Sequence, residues 1–525
     1  MEKLQFKDLF LGKIDANNEF LVFGKETCKD LYFEFPNINI QNIVDGNVYY
    51  ICGDKGTGKT MLLKYIETCI QDECKATGTT FIRFKKDIDD EQRNVLKRAG
   101  TVNRNEQIVD SNFHAESSVD CILAWELYLV KTIIYNSKAS NLNIFLKNDI
   151  WNQLVSLLEE IYKTDDLKKK ISSIFPKMKR GNVELNLLKL SKISIDFEWK
   201  DADNKSIPFK IVAQKAMDLF CSLTPCDGKF YIFIDELELS FKKNKQYERD
   251  VILIRDLIFA IQYLSEEMKK RCYNVHLMAA IRNEVYRYVK SLGEEVNKPI
   301  SDFGIELSWQ QKGGGIKDHP LLKMLEKRIR YSEQKKGIPC SEDVWESYFA
   351  PVIHKASICN YIINQTWNKP RDVIRLFTII QKQFGDNYSC GQDVFDAVRQ
   401  QYSRESWDEI AESLTATYTD AEVEGIRHIL TGISLPFTLA EFIKQIDGCS
   451  DTFPEVEKLK NGSKKPATIL KDLYDVGVIG NYGTIPRFTF LGDRDIDPMT
   501  PVTIHYPLIK FFRASMKRFE NYDRN

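Results

Sequence analysis

The eight residues Gly53-Asp54-Lys55-Gly56-Thr57-Gly58-Lys59-Thr60 constrain this chain more than any other stretch. They follow the apolar run Val48-Tyr49-Tyr50-Ile51 and lead into Met61-Leu62-Leu63-Lys64-Tyr65-Ile66, whose apolar residues recur at helical spacing. A buried strand, a glycine-rich turn and a helix, in that order, are the context in which the pattern G-x-x-x-x-G-K-[ST] grips phosphate. Glycines let the backbone turn with its N–H groups pointing inward, where they cradle phosphate oxygens at the helix N-terminus. The expected nucleotide contacts are Gly53, Asp54, Lys55, Gly56, Thr57, Gly58, Lys59, Thr60 and Met61. Lys59 is expected to reach the β- and γ-phosphates and the Thr60 hydroxyl to hold Mg²⁺, with ATP as the nucleotide. A turn that merely links strand to helix is the competing reading, and motif and context together weigh against it.

A second stretch belongs with the first. Lys229-Phe230-Tyr231-Ile232-Phe233-Ile234-Asp235-Glu236 is a continuous apolar run ending in two carboxylates. A strand buried on both faces reads this way, and its C-terminal end can deliver an acid to a magnesium shell. Asp235 takes that role in this reading, as a metal ligand together with Thr60, and Glu236 acts as the general base on the attacking water. Roughly 175 residues separate Lys59 from Asp235, far more than one strand–helix–strand step needs, so a large and mostly helical insertion is expected between them.

At 525 residues the chain is too long for one ordinary core. Hydrophobic residues at 43% and aromatics at 12% supply ample core material. Lys+Arg 74 against Asp+Glu 75 leaves a net charge of −1, so any nucleic-acid contact must come from a local patch. Met1-Glu2-Lys3-Leu4-Gln5 lacks a signal-peptide layout, and no apolar run approaches the roughly 18 residues that span a bilayer. The twelve cysteines are scattered without a C-x-x-C pair, which favours free thiols in a reducing cytoplasm over zinc or disulfides. A cytoplasmic protein with no membrane partner is expected.

Residues 1–46 read as an N-terminal collar, in which Phe20–Phe23 and Tyr32–Phe35 fit either short strands or a loop-and-helix arrangement. Thr79–Phe84 reads as a strand, residues 90–120 as polar loop or exposed helix, and Leu123–Lys131 and Trp151–Tyr162 as amphipathic helices. The basic run Lys168-Lys169-Lys170 to Lys177-Met178-Lys179-Arg180 fits a solvated face or a nucleic-acid patch, and Asn182–Phe197 a strand or hairpin. Arg255–Met268 reads as a helix and Val275–Ile281 as a further buried strand that ends in Arg282-Asn283-Glu284. A polar side chain there would lie beside the acidic strand, so Arg282 or Asn283 is a candidate reporter of the γ-phosphate, with a plain surface turn as the alternative. Ser301–Trp309 reads as the last strand, before a Gly313-Gly314-Gly315 hinge and an all-helical stretch to about 402. Arg371, behind Asn368-Lys369-Pro370, opens a helix and either leans over a phosphate or pairs with Asp372 or Glu326. Three short helices (422–433, 439–446, 466–475) and a hairpin of Val478–Tyr482 with Arg487–Leu491 form the plan of a winged helix. Lys464, Lys465 and Lys471 stand at or near the start of its third helix, where DNA binding and protein docking fit about equally.

The motif set GDKGTGKT, FIDE, AAIRNE, ELSW and NKPRDVIRLF, with a C-terminal winged helix, resembles the AAA-type P-loop ATPases of the origin-recognition initiator and STAND lineages. It looks most like the bacterial stand-alone members tied to DNA repair or phage defence, over roughly residues 40–515, the insertion being unmatched. The resemblance implies an α/β P-loop core (a parallel sheet flanked by helices) with a helical insertion, a helical lid and the winged helix. The corresponding divisions are a collar at 1–46, a core at 47–312 with the insertion at about 90–200, a lid at 313–415 and the winged helix at 416–525. It further implies Arg371 at the sensor-2 position, Arg282 or Asn283 at sensor 1, and Arg328 or Arg330 where an arginine finger reaches a neighbouring subunit of a homo-oligomer. Residues 1–46 fall where related ATPases often pack on the adenine base, core packing alone being the alternative.

Three functions compete. One is an ATPase switch whose nucleotide state controls engagement of DNA, through the winged helix and basic insertion, or of an effector protein. Another is a non-catalytic ATP-bound scaffold that assembles a defence complex; an intact Lys59, Asp235 and Glu236 speak against it. The third, a small-molecule phosphotransferase, fits poorly with the sensor-like strand and the winged helix.

Overall fold

The computed structural model describes residues 3–35, 37–73, 77–88, 121–139, 142–163, 178–179, 182–185, 205–237, 244–291, 296–311, 313–415, 417–483, 486–488, 490, 496–497, 500–513 and 515–516. The chain divides into two compact units. One comprises Asn37–Lys55 and Leu62–Leu307; the other comprises Met1–Pro36, Gly56–Met61 and Ser308–Asn525.

The strands of the first unit are, in chain order, β1 (Tyr50–Gly53), β2 (Gly78–Arg83), β3 (Met178–Lys179), β4 (Asn182–Leu185), β5 (Lys205–Pro208), β6 (Phe230–Leu237), β7 (Val275–Arg282) and β8 (Gly304–Glu306). Five of them make a parallel sheet in the order β2-β6-β7-β1-β8. Strands buried on both faces carry apolar side chains without alternation, and Phe230 to Ile234 of β6 are each at most 1% exposed. The strand that ends in Arg282 therefore lies between the strand that feeds the glycine-rich loop and the strand that ends in the acidic pair. The last strand is shorter than its sequence predicts. Asn297–Phe303 is a helix, and only Gly304–Glu306 pairs, as an edge, with β1.

Helices cover the sheet and tie into it through buried tips of aromatic side chains. Tyr50 donates its hydroxyl to the Ile258 carbonyl at 2.8 Å, within the helix Asn244–Lys270. Trp125, on the helix Ile122–Ala139, donates its indole N–H to the Leu253 carbonyl of the helix Asn244–Lys270 at 2.9 Å. Two ion pairs between sequence neighbours are buried on Asn244–Lys270, Arg249–Asp250 at 3.0 Å and Arg255–Asp256 at 2.6 Å. The second Asp256 oxygen accepts the Cys121 N–H at 2.7 Å, so this carboxylate also anchors the start of the insertion helix.

The insertion is not purely helical. Besides Ile122–Ala139, Asp149–Ile161 and Phe209–Cys221 it contains a three-stranded antiparallel sheet, β3-β4-β5. Of the stretch Asn182–Phe197, residues 182–185 form its central strand; the remainder lies outside the described residues, as do residues 90–120.

The second unit opens with the helices Ala16–Phe23 and Lys25–Leu31, so Phe20–Phe23 is helical, and Tyr32–Phe35 is extended coil. The helices Pro320–Lys335, Val344–Tyr348, Ile358–Asn364, Pro370–Phe384 and Gln392–Leu414 follow, interrupted by a short ribbon of β9 (Val352–Ile353) and β10 (Ala356–Ser357). Phe6 packs between Tyr348 and Phe349, with ring centroids 6.3 and 5.9 Å away.

Further along, capping boxes start two helices. Thr419 and Glu422 bond reciprocally ahead of Asp420–Leu430, and Thr438 and Glu441 do so ahead of Leu439–Ser450. β11 (Ser434–Leu435) lies between these helices, and Pro454–Lys460 and Pro466–Asp475 complete the helical set. β12 (Ile479–Asn481) pairs antiparallel with β13 (Val502–Ile504). The expected partner run contributes an antiparallel bridge from Arg487 to Asn481, and residues 489 and 491 of that run lie outside the described residues. The helix Tyr506–Phe512 and β14 (Ser515–Met516), paired with β11, follow. Among the described residues no helix is long and apolar enough to cross a membrane.

One buried cation tests the packing of the insertion. Lys131 lies over the rings of Tyr128 and Tyr162, at 4.7 and 4.4 Å, and burial lowers its pKa to about 7. The unfolded chain binds this proton up to about pH 10.5 and the folded chain only to about 7, so stability rises with pH across that window. Each pH unit is worth about 1.4 kcal/mol. Lys131→Met is expected to raise stability to urea, with a gain that is larger at pH 6.5 than at pH 9.5. A gain independent of pH would contradict this account.

Candidate nucleotide-binding site

In the first unit, β1 delivers Gly53 and Asp54 to the carboxyl edge of the sheet, where β7 ends. Asn283, the first residue of the helix Asn283–Ser291, donates its side-chain amide to Asp54 Oδ1 at 3.0 Å. Arg282 pairs instead with Glu284 at 3.4 Å. Asn283 thus bonds the glycine-rich loop through its side chain, while Arg282 stands opposite Gly53 in the sheet.

The acidic pair sits on a distortion. Ile234 stands opposite Ala279 of β7, but Leu237 stands opposite Ile281, so β6 carries one extra residue at this point. Such a bulge breaks the alternation that would send Asp235 and Glu236 to opposite faces. The extra residue is accommodated by Glu236 at φ 57°, a conformation that a side chain with a Cβ rarely adopts. Asp235 is 7% exposed, and its Oδ1 accepts the Glu236 N–H at 2.8 Å, which holds the carboxylate at the strand end. Backbone strain of this kind persists where surrounding structure enforces it, and it concentrates at functional positions.

In the second unit, the rest of the loop shows the geometry that its glycines allow. Gly56 and Gly58 have φ of 87° and 94°, and the helix starts directly afterwards at Lys59. Thr60 and Met61 therefore lie in its first turn, next to backbone N–H groups that have no intrahelical partner. Thr57 is buried, and its carbonyl accepts the indole N–H of Trp309 at 2.7 Å. A Cβ on Gly56 would stand 3.2 Å from the Arg371 Cβ, and one on Gly58 3.9 Å from Pro370 Cγ. Proline at the first turn of Pro370–Phe384 thus brings Arg371 against the loop.

Neither Asp372 nor Glu326 is the Arg371 partner. Arg371 Nη1 bonds Glu409 at 2.7 Å, and Glu409 also takes Arg375. Asp372 accepts the Trp367 N–H at 2.9 Å and Glu326 pairs with Arg330 at 2.8 Å, so both are otherwise engaged. The buried Nε of Arg371 makes no hydrogen bond. Arg328 is not poised to reach a neighbouring subunit, since it is buried and paired with Glu19 at 2.7 Å. Arg330 is 38% exposed at its side chain.

The basic run 168–180 lies outside the described side chains. Of the three lysines near the Pro466–Asp475 helix, Lys464 is committed to Asp472 at 2.5 Å and lies over the Tyr418 ring at 4.2 Å; Lys465 and Lys471 are exposed. Among the described residues no three His, Cys, Asp or Glu side chains are grouped to hold a metal. Magnesium needs no such cage, because one or two protein oxygens suffice where waters and phosphate complete its shell. Sequence reasoning missed Trp309 as a neighbour of the loop and Glu409 as the partner of Arg371. Trp309 stands in the ELSW motif and was legible as a residue but not as a donor, whereas nothing local marks Glu409.

Residues 319–411 match the family model of the FunZ-associated C-terminal helical domain. The match covers the helices from Pro320–Lys335 through most of Gln392–Leu414. No curated protein sequence matches the chain. Among solved structures, that of the Aeropyrum pernix ORC1 protein in complex with DNA is similar over 92% of this chain and 93% of its own, with a TM-score of 0.36 and 8% identity. That likeness is too distant for any residue role to pass between the two proteins.

Two substitutions test the loop and bulge geometry. Glu236→Gly relieves the left-handed strain and is expected to raise the urea unfolding free energy by about 1 kcal/mol. Gly56→Ala adds such strain and is expected to lower it by more than about 1 kcal/mol. Opposite signs in either case would contradict left-handed backbone at Glu236 and Gly56.

Proposed function

We propose that this chain is an AAA-type switch ATPase that binds and hydrolyses ATP, and whose nucleotide state controls engagement of DNA or a partner protein. The observation that carries the reading is the complete phosphate-loop motif, met with left-handed glycines at 56 and 58 and a helix that starts at Lys59. Support comes from the parallel sheet, in which the strand ending beside Asn283 separates β1 from the strand carrying Asp235 and Glu236. In this reading the loop N–H groups and Lys59 hold the phosphates, and Thr60 and Asp235 hold magnesium. Bound there, magnesium would draw charge from the phosphates and orient them. Glu236 takes a proton from the attacking water, Asn283 fixes the loop through Asp54, and Arg371 faces the phosphates from the helical segment.

The proposed division is a collar at 1–46, a core at 47–312, a lid at 313–415 and a winged helix at 416–525. The lineage, origin-recognition initiator or STAND, the homo-oligomeric state and a role in phage defence or DNA repair belong to the same proposal. The motif resemblance supports them.

Steady-state ATP hydrolysis, with and without DNA, is the direct test. Lys59→Ala is expected to abolish binding of a fluorescent ATP analogue. Glu236→Gln is expected to keep that binding and to lose about 10²-fold or more in turnover. Turnover equal to the parent in the Gln variant would remove Glu236 from the base role, and a parent that binds nucleotide but never hydrolyses it would leave a scaffold.

A further inference from the structure

A second use of the loop emerges within the unit that contains Gly56–Met61 and Ser308–Asn525. Two arms reach the loop there, and both arrive at one distant carbonyl. The first arm is Trp309, 6% exposed, whose indole N–H bonds the Thr57 carbonyl at 2.7 Å. Its ring is wedged by Phe33 and Phe35, at centroid distances of 5.7 and 4.6 Å, so the donor cannot swing away. The next residue, Gln310, donates its side-chain amide to the Phe490 carbonyl at 3.1 Å.

The second arm is the segment ahead of the Pro370–Phe384 helix. Pro370 and Arg371 lie against Gly58 and Gly56. Two residues before Pro370, Asn368 takes the left-handed conformation, at φ 53°, and its side-chain amide donates to the same Phe490 carbonyl, also at 3.1 Å. A carbonyl has two lone pairs, and here both are spent on side chains from the two arms. The Phe490 ring is itself packed on Phe488 and His505, at 5.0 and 4.7 Å. His505, which burial keeps neutral, bonds the Thr366 carbonyl at 2.9 Å. Phe490 is therefore built into the β12–β13 region and is not a loose loop residue.

We infer that Trp309 is a positioning residue for the phosphate loop, and that the Phe490 carbonyl, shared by Gln310 and Asn368, transmits the position of the loop to the β12–β13 region. The inference rests on the nucleotide-binding reading above. The indole turns the Thr57 carbonyl away from the loop interior, which leaves the loop N–H groups to the phosphates. A loop that tightens on phosphate moves both arms, and both pull on one acceptor. By linkage the coupling is reciprocal: whatever engages the β12–β13 region changes nucleotide affinity by the factor with which nucleotide changes that engagement.

The experiment uses the full chain and the analogue N-methylanthraniloyl-ATP with magnesium. Trp309→Phe keeps the ring and removes the N–H, and is expected to weaken analogue binding about tenfold while the nucleotide-free protein stays folded, with a thermal midpoint lowered by only a few degrees. Gln310→Met, which leaves the loop itself untouched, is expected to weaken it about threefold, and the double variant by less than the product of the two. Hydrogen exchange supplies a readout that mere packing would not move. Addition of a non-hydrolysable ATP analogue is expected to raise amide protection at 479–481 and 502–504 in the parent, and to leave it unchanged in Gln310→Met combined with Asn368→Gly. Binding in the parent together with unchanged affinity in Trp309→Phe, or protection in 479–504 indifferent to nucleotide, overturns this inference alone. A parent that binds no nucleotide overturns the nucleotide-binding reading and this inference with it.

Discussion

A turn that aims its amides inward must aim a carbonyl elsewhere, and a buried carbonyl requires a donor. This constraint governs the glycine-rich loop. Gly56 and Gly58 accept backbone angles that other residues resist, but the loop holds its shape because the Thr57 carbonyl is taken up by Trp309. An unpaired carbonyl at such a depth would cost about 1–3 kcal/mol, comparable to a large part of the margin by which a domain is folded at all. The indole is in turn fixed by Phe33 and Phe35 from the N-terminal segment, so residues remote in sequence set the conformation of the motif.

The same economy appears at the acidic strand. A regular β6 would place Asp235 and Glu236 on opposite faces, and only an extra residue in the strand releases them from that alternation. The strain falls on Glu236, at φ 57°, and the Asp235 carboxylate caps the Glu236 N–H that the irregularity frees from the ladder. Strain at a carboxylate with a proposed chemical role, beside five apolar residues with none, fits the pattern that proteins give up stability where a site needs an unusual conformation.

Arginines show how burial decides between structure and chemistry. Arg255 with Asp256 and Arg328 with Glu19 are enclosed pairs, in which removal of one partner would leave a charge without compensation. They are committed to holding helices in place. Arg371 is different: its guanidinium shares Glu409 with Arg375, while its stem lies on Gly56 and its Nε has no partner. Residue type and helix position alone do not separate these cases; the partner and the depth do.

Much of the strand–loop–helix framework is legible in the amino-acid sequence, because each piece is specified locally. Buried parallel strands read as unbroken apolar runs, as β6 does. The order of the glycine-rich loop, the acidic pair and the polar residue after β7 was likewise plain in the chain. Pairing over distance was not. β12 takes its ladder partner at Val502–Ile504, beyond the expected run, the insertion sheet adds strands at Met178–Lys179 and Lys205–Pro208 to the expected one, and the Arg371 counter-charge is Glu409 rather than a near neighbour. Periodicity and capping are properties of a few consecutive residues, so the amino-acid sequence by itself determined which elements form and which chemical groups they carry. Hydrogen-bond and charge partners are chosen by competition among all groups that folding brings together, and only the tertiary structure decided that Trp309 bonds Thr57, Asn283 bonds Asp54 and Arg371 pairs with Glu409.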